Sequence, residues 1–332
     1  MTLLKYLKIN LKKSLEKNNE QAHAFLTEDN TVTISVNSVV LEEVSNCINS
    51  IKPRTAIGPD RIPSYVIKGC KSILAPLLLN IMNKSLQECV FPEEWKQAFI
   101  VPIYKNGDKF NYLNYRPITI LNCCSKVFEK IVHKHLIFQL QCVLHPSQHG
   151  FVKGRSITTN LVSITDSISN ALHARKQVDV IYFDLSAAFD SVDHEILLQK
   201  LQNVGFSPKL VKWFKSYLSG RTFIVKANNL YSEVGSIYKG VPQGSSLGPL
   251  LFAIFINDLP FLFDHADTKI LLYADDIKLF KIIHDYEDSS ELQKGIDTVY
   301  NWSLRNKQCR FSLRASNCNG GLARCMKCNI YA

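Results

Sequence analysis

Three aspartates stand at points in the sequence where side-chain chemistry is expected. Asp275 and Asp276 are adjacent in LLYADDIKLF, residues 271–280, between two stretches that predict β-strands. Asp184 lies near the end of QVDVIYFDL, residues 177–185, which is apolar on both faces apart from Asp179. The Asp-Asp pair predicts either a solvated turn, in which Asp is common, or a site for divalent cations.

The electrostatics of three close carboxylates favour the metal site. If Asp184 ends one strand and Asp275 caps a neighbouring hairpin, the two lie about 5 Å apart. Carboxylates that close repel one another, so one takes up a proton unless a cation removes the conflict. Mg²⁺ binds through one or two carboxylates plus substrate phosphates, and two ions stabilise both oxygens of an in-line displacement. The pattern therefore predicts metal-assisted phosphoryl or nucleotidyl transfer.

The elements around these aspartates must bring them together. In the strand 177–185, Val178, Val180, Tyr182 and Asp184 share one face by the two-residue period, so Asp184 leaves the strand at its C-terminal end. The apolar character of both faces predicts a central strand covered on both sides.

The order of the later elements indicates the fold class. Residues 194–204 and 208–218 predict helices, residues 247–255 predict a helix buried on one face, and 286–304 predict a last helix. From residue 178 the order is strand, helices, strands, helix, hairpin, helix. This order favours an α+β fold in which an antiparallel sheet carries helices on one face.

Charge is distributed unevenly along the chain of 332 residues, whose formal net charge is +10. Residues 61–180 hold 15 basic and 7 acidic residues, whereas residues 181–300 hold 11 basic and 15 acidic residues. A basic segment followed by an acidic one suits a polyanion held by one region and cations held by the next. The alternative is solubility charge distributed by chance.

Other features limit the class of protein. No apolar run of about 18 residues predicts a transmembrane helix, and residues 1–20 predict an amphipathic helix rather than a signal peptide. The ten cysteines therefore predict reduced thiols of an intracellular protein. In the tail, Cys309, Cys318, Cys325 and Cys328 cluster, and the pair Cys325 and Cys328 is half a zinc site, but no second pair or His pair follows at suitable spacing.

Six motifs, in one order, resemble those of the reverse transcriptase region of non-LTR retrotransposons, of the jockey-like, long interspersed element type. The resemblance spans about residues 39 to 305. The motifs are GPDRIPSYVIK, YRPITILNCCSKVFEKIVHKHL, SQHGFVKGRSITTNL, FDLSAAFDSVDH, KGVPQGSSLGPLLFAIFINDLP and LLYADD.

The resemblance implies a right-hand polymerase architecture with fingers at 39–176 and a palm at 177–305. Residues 1–38 would be an N-terminal extension, and 306–332 an atypical, disordered tail. That tail resembles a frame change, so the thumb is expected to be missing. The endonuclease domain that such elements usually carry is expected to be absent, and the chain is expected to be truncated at both ends.

The implied activity is that of an RNA-directed DNA polymerase. The implied cofactors are two Mg²⁺ ions, with Mn²⁺ as a possible substitute, and the implied partners are an RNA template, a DNA primer and deoxynucleoside triphosphates. No membrane partner is expected, and the family resemblance implies action in the nucleus or in a cytoplasmic ribonucleoprotein. In the implied mechanism, one ion would lower the pKa of the primer 3′-hydroxyl and the other would hold the triphosphate and departing pyrophosphate.

The resemblance also assigns residue roles. Asp184, Asp275 and Asp276 are the expected catalytic metal ligands, assisted by the Leu185 carbonyl. Phe189 occupies the place of the bulky gate that excludes a ribose hydroxyl. The other residues expected to contact nucleotide or template are Gln243 and Gly244 of the PQG turn and the cations Arg116, Lys153 and Arg155.

Two alternatives stay open. The chain is either an active polymerase or a catalytically inactive remnant that at most binds nucleic acid through residues 61–180. An RNA-templated RNA polymerase shares the same carboxylates, but Phe189 and the PQG turn disfavour it. Asp190 and His194 are interpreted as loop or helix-cap residues despite their nearness to Asp184.

Overall fold

The structure is a computed structural model that describes residues 33–52, 57–227, 230–308, 311–319 and 321–330. Its helices are Leu41–Asn49, Ser64–Gly69, Lys71–Glu88, Cys123–Gln139, Ile157–His173, Ala188–Ser191, His194–Asn203, Pro208–Leu218, Gly248–Ile256, Asp258–Phe261 and Tyr286–Arg305, with 3₁₀ turns at Glu93–Trp95 and Tyr112–Asn114. Its strands are β1 (Gln97–Tyr104), β2 (Tyr115–Leu121), β3 (Gln177–Leu185), β4 (Arg221–Ala227), β5 (Leu230–Tyr231), β6 (Gly235–Ile237), β7 (Lys269–Tyr273), β8 (Asp276–Ile283), β9 (Phe311–Asn319) and β10 (Gly321–Ile330).

The described residues form two compact units, and the chain passes between them more than once. The first unit contains residues 144–188 and those from 253 onward, and the second contains residues within 32–143 and 189–252. These units differ from the predicted linear division into 39–176 and 177–305. The reason is that the helix Ile157–His173 packs on the sheet of the first unit, where Ile164 and Ala171 share a buried cluster with Val178 and Val180.

The sheet of the first unit is antiparallel and has the strand order β10-β9-β3-β8-β7. The predicted strand 177–185 is confirmed as β3, which occupies the centre. Val178 and Val180 are buried, whereas Tyr182 and Asp184, further along the same face, are exposed. The face is therefore closed at one end and open at the other.

Helices cover this sheet on both faces, so the prediction of helices on one face was wrong. The helix Ile157–His173 packs against Val180 and Phe280. On the opposite face, Leu279 lies against Gly295 of the helix Tyr286–Arg305. A central strand that is apolar on both faces must be shielded from water on both faces, and helices on both sides of the sheet meet this requirement.

Residues beyond 305 also differ from the expectation of disorder. In the described ranges 311–319 and 321–330, the backbone forms β9 and β10, and β9 pairs with β3 from Val178 to Leu185. Pairing with β9 gives hydrogen-bond partners to backbone N–H and C=O groups that would otherwise be unpaired along this edge of β3. The amphipathic helix expected over residues 1–20 lies outside the described residues, as does the side-chain set of the zinc alternative.

The second unit is built around a small sheet and an aromatic core. The sheet has the order β2-β1-β4-β5, with β6 on β4, and β1 pairs in parallel with β4. Phe91, Phe128, Trp213 and Tyr217 form a set of stacked and edge-on rings that is fully buried. None of the described helices has the length and apolar character needed to span a membrane.

Burial of the helix Gly248–Ile256 exceeds the prediction. The apolar pattern predicted one buried face, but every residue from Leu250 to Ile256 is buried. A helix that is apolar all round is expected to be buried all round, and only three of its residues, Gly248, Pro249 and Ala253, lack large apolar side chains.

Candidate active site

Two of the predicted aspartates face each other at the open end of the central strand. Asp184 of β3 is paired in register with Asp276 of β8, and Tyr182 is paired with Lys278. Both aspartates are exposed and lie on one face of the sheet, since residues two apart alternate together. The packing of the helix Ile157–His173 ends before them, so the carboxylates remain accessible.

Asp275 occupies the hairpin turn rather than the position opposite Asp184. Ala274 and Asp275 form the connection between β7 and β8, and Tyr273 pairs with Asp276. Ala274 has φ of +56°, a left-handed conformation that a residue with a side chain rarely adopts. The sequence predicted Asp275 at the cap of a hairpin next to Asp184, without a register. The turn begins at Ala274 and β8 begins at Asp276, so Asp276 is the aspartate paired with Asp184.

The electrostatics of this end are unfavourable for anions. Partial burial raises the pKa of Asp276, and the nearby Asp184 raises it further, while Lys278 opposes the shift. Burial also lowers the pKa of Lys278. The Lys278 ammonium donates to Asn160 Oδ1 at 2.6 Å, so part of its hydrogen-bonding capacity is used within the protein.

The donor set fits a divalent cation only in part. Among the described residues, no group of three or more His, Cys, Asp or Glu side chains is arranged to hold a metal ion. The opposed carboxylates of Asp184 and Asp276 provide two oxygen donors, and Leu185 follows Asp184 as the last residue of β3. Two carboxylates match the way Mg²⁺ is bound when substrate phosphates complete its coordination.

Two predicted cations belong to the same unit and have different surroundings. Lys153 is exposed. Arg155 donates through Nη1 to the carbonyls of His145 and Gln148, at 2.8 and 2.7 Å. Arg155 therefore stabilises its own loop, a use that the sequence did not indicate.

In the second unit, the PQG turn is fixed by backbone hydrogen bonds. The Val241 amide donates to the Phe189 carbonyl at 2.8 Å, and the Thr119 amide donates to the Gln243 carbonyl at 3.2 Å. Gly244 has φ of +97°, and a Cβ atom there would lie 2.9 Å from the Thr119 carbonyl oxygen. Only glycine meets both conditions without strain.

Side chains of the segment after Phe189 also hold this turn. Gln243 donates to the Asp190 carboxylate, and the His194 ring donates to the Gly240 carbonyl, each at 2.8 Å. Asp190 and His194 are thus more than loop or cap residues. Asp193, next to them, caps the helix His194–Asn203.

The remaining predicted residues of this unit are Phe189 and Arg116. The Phe189 ring stacks on Phe252 with ring centroids 4.6 Å apart, which fixes its plane. Arg116 is exposed on β2, opposite Ile103.

Three supporting residues were not predicted. Gly150 contacts the backbone of the Ala274 turn, and Asn160 joins Lys278 to the Leu272 carbonyl. Glu129 is fully buried and accepts from the Ser246 amide at 2.9 Å. The available signals were a polar residue within an apolar helix face, for Asn160 and Glu129, and a glycine within a loop, for Gly150.

The chain is similar to known proteins in sequence and in structure. Residues 103–315 match the family model described as reverse transcriptase (RNA-dependent DNA polymerase). The chain is similar to the probable RNA-directed DNA polymerase from transposon BS of Drosophila melanogaster, with 30% identity over 82% of this chain and 31% of that protein. It is also similar to the RNA-directed DNA polymerase from mobile element jockey of the same organism, with 29% identity over 90% of this chain and 35% of the relative.

The chain spans about a third of the length of these curated relatives. Among solved structures, it is similar to apo telomerase from Candida tropicalis truncated from its C-terminal domain. That similarity has a TM-score of 0.46 and 15% identity, and it covers 73% of this chain and 52% of the telomerase chain.

Proposed function

We propose, from the premise that this chain belongs to the reverse transcriptase family, that it carries the polymerising region of a retrotransposon RNA-directed DNA polymerase. The observation that carries this proposal is the register of Asp184 opposite Asp276 at the open end of an antiparallel sheet. We assign that sheet to the polymerase palm and the second unit to the fingers. The expected place of action is the nucleus or a cytoplasmic ribonucleoprotein.

Asp184, Asp275 and Asp276 would hold two Mg²⁺ ions, with the Leu185 carbonyl as a further donor. When bound, the ions supply a lowered pKa at the primer 3′-hydroxyl and neutralise charge on the triphosphate. The raised pKa of Asp276, caused first by burial and then by the nearby Asp184, supports this assignment, because a bound divalent cation would favour the ionised form of that carboxyl. Mn²⁺ would bind the same oxygen donors.

The roles proposed for other residues follow from their surroundings. Phe189, held flat against Phe252, would screen the sugar 2′ position and select deoxynucleotides. Gln243 and Gly244 would offer a rigid turn to the nucleotide and template. The exposed Arg116 and Lys153 would bind phosphates, whereas Arg155 would act mainly by stabilising its loop.

The proposal is tested by extension of a DNA primer on an RNA template with Mg²⁺ and deoxynucleotides. We expect extension by the wild-type chain and a loss of at least about 10²-fold for Asp275→Asn, which keeps the shape of the side chain but removes a charge. Asp267→Asn is the matched control, since Asp267 precedes the same hairpin and its side chain is 90% exposed.

The opposite outcome is also defined. Absence of extension, with RNA binding that weakens as salt rises, would reject the polymerase in favour of an inactive nucleic-acid-binding remnant. Extension with ribonucleotides equal to that with deoxynucleotides would reject the role of Phe189.

A further inference from the structure

The segment Ser147–Gly150 docks along the edge of β7 that β8 does not use. The Leu272 amide donates to the Ser147 carbonyl, and the His149 amide donates to the Leu272 carbonyl, both at 2.9 Å. Gln148 and Leu272 thereby form a parallel bridge. The segment acts as a short extra strand beside Leu272, two residues before the Ala274–Asp275 turn.

Gly150 brings this segment into direct contact with the turn. A Cβ atom on Gly150 would lie 2.1 Å from the Ala274 nitrogen, 2.9 Å from its Cα and 3.0 Å from the Tyr273 carbonyl carbon. All three atoms are backbone, so no side-chain rotation can make room. Gly150 is therefore required for space at this place.

The turn that Gly150 contacts adopts a costly conformation. Ala274 has φ of +56°, and a left-handed conformation in a residue other than glycine persists only where surrounding structure imposes it. The Leu272 carbonyl also accepts from Asn160 Nδ2 at 3.2 Å. Contacts at Leu272 and Ala274 thus fix the backbone on both sides of Tyr273, where β7 leads into the turn.

The docking segment is itself well supported. Arg155 donates to the carbonyls of His145 and Gln148. The Gly150 amide donates to Gln148 Oε1 at 2.7 Å, and the His149 ring is hydrogen-bonded to Thr159 at 2.8 Å. A segment with its backbone fixed at this many points can impose a conformation on its neighbour.

We propose that Gly150 is a positioning residue for the carboxylate site. Close packing of Gly150 on Ala274 holds the turn in the conformation that presents Asp275 and places Asp276 opposite Asp184. The role in catalysis rests on the proposed function, whereas the role in arranging the carboxylates does not.

The test compares Gly150→Ala with Gly154→Ala in the same loop. Gly154 has φ of +81°, but a Cβ atom there would meet nothing within 4 Å. The control therefore introduces backbone strain without a steric contact. For each variant, kcat and KM of primer extension are measured, and Mn²⁺ binding without nucleic acid is followed by electron paramagnetic resonance, with Asp184→Asn defining the background.

We expect Gly150→Ala to lower kcat by about 10²-fold, because displacement of a reacting group by about 1 Å has that effect. Its Mn²⁺ affinity should fall at least roughly tenfold, as for the loss of a group that orients metal ligands. KM for primer-template should stay the same, and Gly154→Ala should match the wild type in kcat and Mn²⁺ affinity. A folded Gly150→Ala protein with wild-type kcat and Mn²⁺ affinity would overturn the proposal.

A second variant applies if Gly150→Ala does not fold. Arg155→Met removes two hydrogen bonds that support the segment and adds no atom near the turn. Lower Mn²⁺ affinity without nucleotide supports the proposal, and unchanged affinity overturns it. If the wild type binds Mn²⁺ but extends no primer, the proposed polymerase function fails, while the Mn²⁺ comparison still decides the role of Gly150.

Discussion

The charged side chains at the two ends of β8 have opposite kinds of partner. Near its C-terminal end, the buried Lys281 ammonium is surrounded by the carboxylates of Asp288, Glu291 and Asp267. At its N-terminal end, Asp276 faces Asp184, and the neighbouring Lys278 donates to Asn160. One end brings a cation and anions together, whereas the other brings anions together.

The pKa shifts express the same contrast. Burial opposes the charge of Lys281, but hydrogen bonds to Glu291 and Asp288 outweigh burial and raise the pKa of Lys281. The His284 amide and Lys281 lower the pKa of Asp288, so both partners favour their charged forms. The pKa of Asp276 is raised instead. The Lys281 end stabilises the fold by itself, and the Asp276 end leaves negative charge for an external cation.

Isosteric removal of one carboxylate at each end gives the largest expected difference. Asp184→Asn should lower primer extension by at least about 10²-fold, the scale for losing a group that stabilises developing charge. Asp288→Asn should leave turnover per folded molecule unchanged. Steady-state rates on one primer-template check both, and equal losses would remove the functional distinction between the ends.

Loss of the Lys281 cation should affect stability instead of turnover. Lys281→Met leaves the Asp288 and Glu291 carboxylates without their cation, but these partners are partly exposed, so we expect a destabilisation of about 1 kcal/mol. Chemical denaturation measures this difference. Lys294→Met is the control, since Lys294 is exposed on the adjacent helix. Destabilisation by the control to the same extent would contradict the contribution of the Lys281 contacts.

The smallest expected effect is the pH-dependent stabilisation of the protein by Asp276→Asn. Because the folded-state pKa of Asp276 is raised, the folded protein binds this proton more tightly than the unfolded chain does, and its stability falls as pH rises. Without divalent cations at pH 7, Asp276→Asn should stabilise the protein by about 0.5 kcal/mol, a value reduced for solvent screening. Its advantage should shrink as pH falls below the folded pKa and vanish below the ordinary value of 3.8.

Thermal unfolding at several pH values checks this prediction. Addition of Mg²⁺ should stabilise the wild type more than Asp276→Asn, because a bound cation favours the ionised Asp276 carboxylate, which the variant lacks. A wild type that is more stable than Asp276→Asn at pH 7 without divalent cations would contradict the contrast between the two ends.

Local periodicity was sufficient to predict the strand that carries Asp184. β3 runs from Gln177 to Leu185 as the alternation of apolar residues indicates, and the hairpin flanks Asp275. The sequence did not indicate which aspartate pairs with Asp184, because register depends on where the turn begins. A shift of one residue changes which carboxylate lies directly opposite.

Long-range packing limited the rest of the prediction. Asn160 and Leu272 are separated by 112 residues along the chain, so no local pattern links the loop to the hairpin. The same limit applies to the helix Tyr286–Arg305, whose apolar stripe predicts burial but not the face of the sheet it covers. Beyond residue 305, composition indicated disorder, whereas β9 pairs with the edge of β3.

Docking of Ser147–Gly150 on β7 has a consequence for how the protein folds. A hairpin such as β7–β8 forms within about 1–10 μs from neighbouring residues. The bridge from Gln148 to Leu272 instead closes a long loop, and such contacts form late because their ordering entropy must be overcome first. During synthesis, the Ser147–Gly150 segment leaves the ribosome before its hairpin exists. The final arrangement of the turn therefore requires a contact that can form only after both parts of the chain have been synthesised.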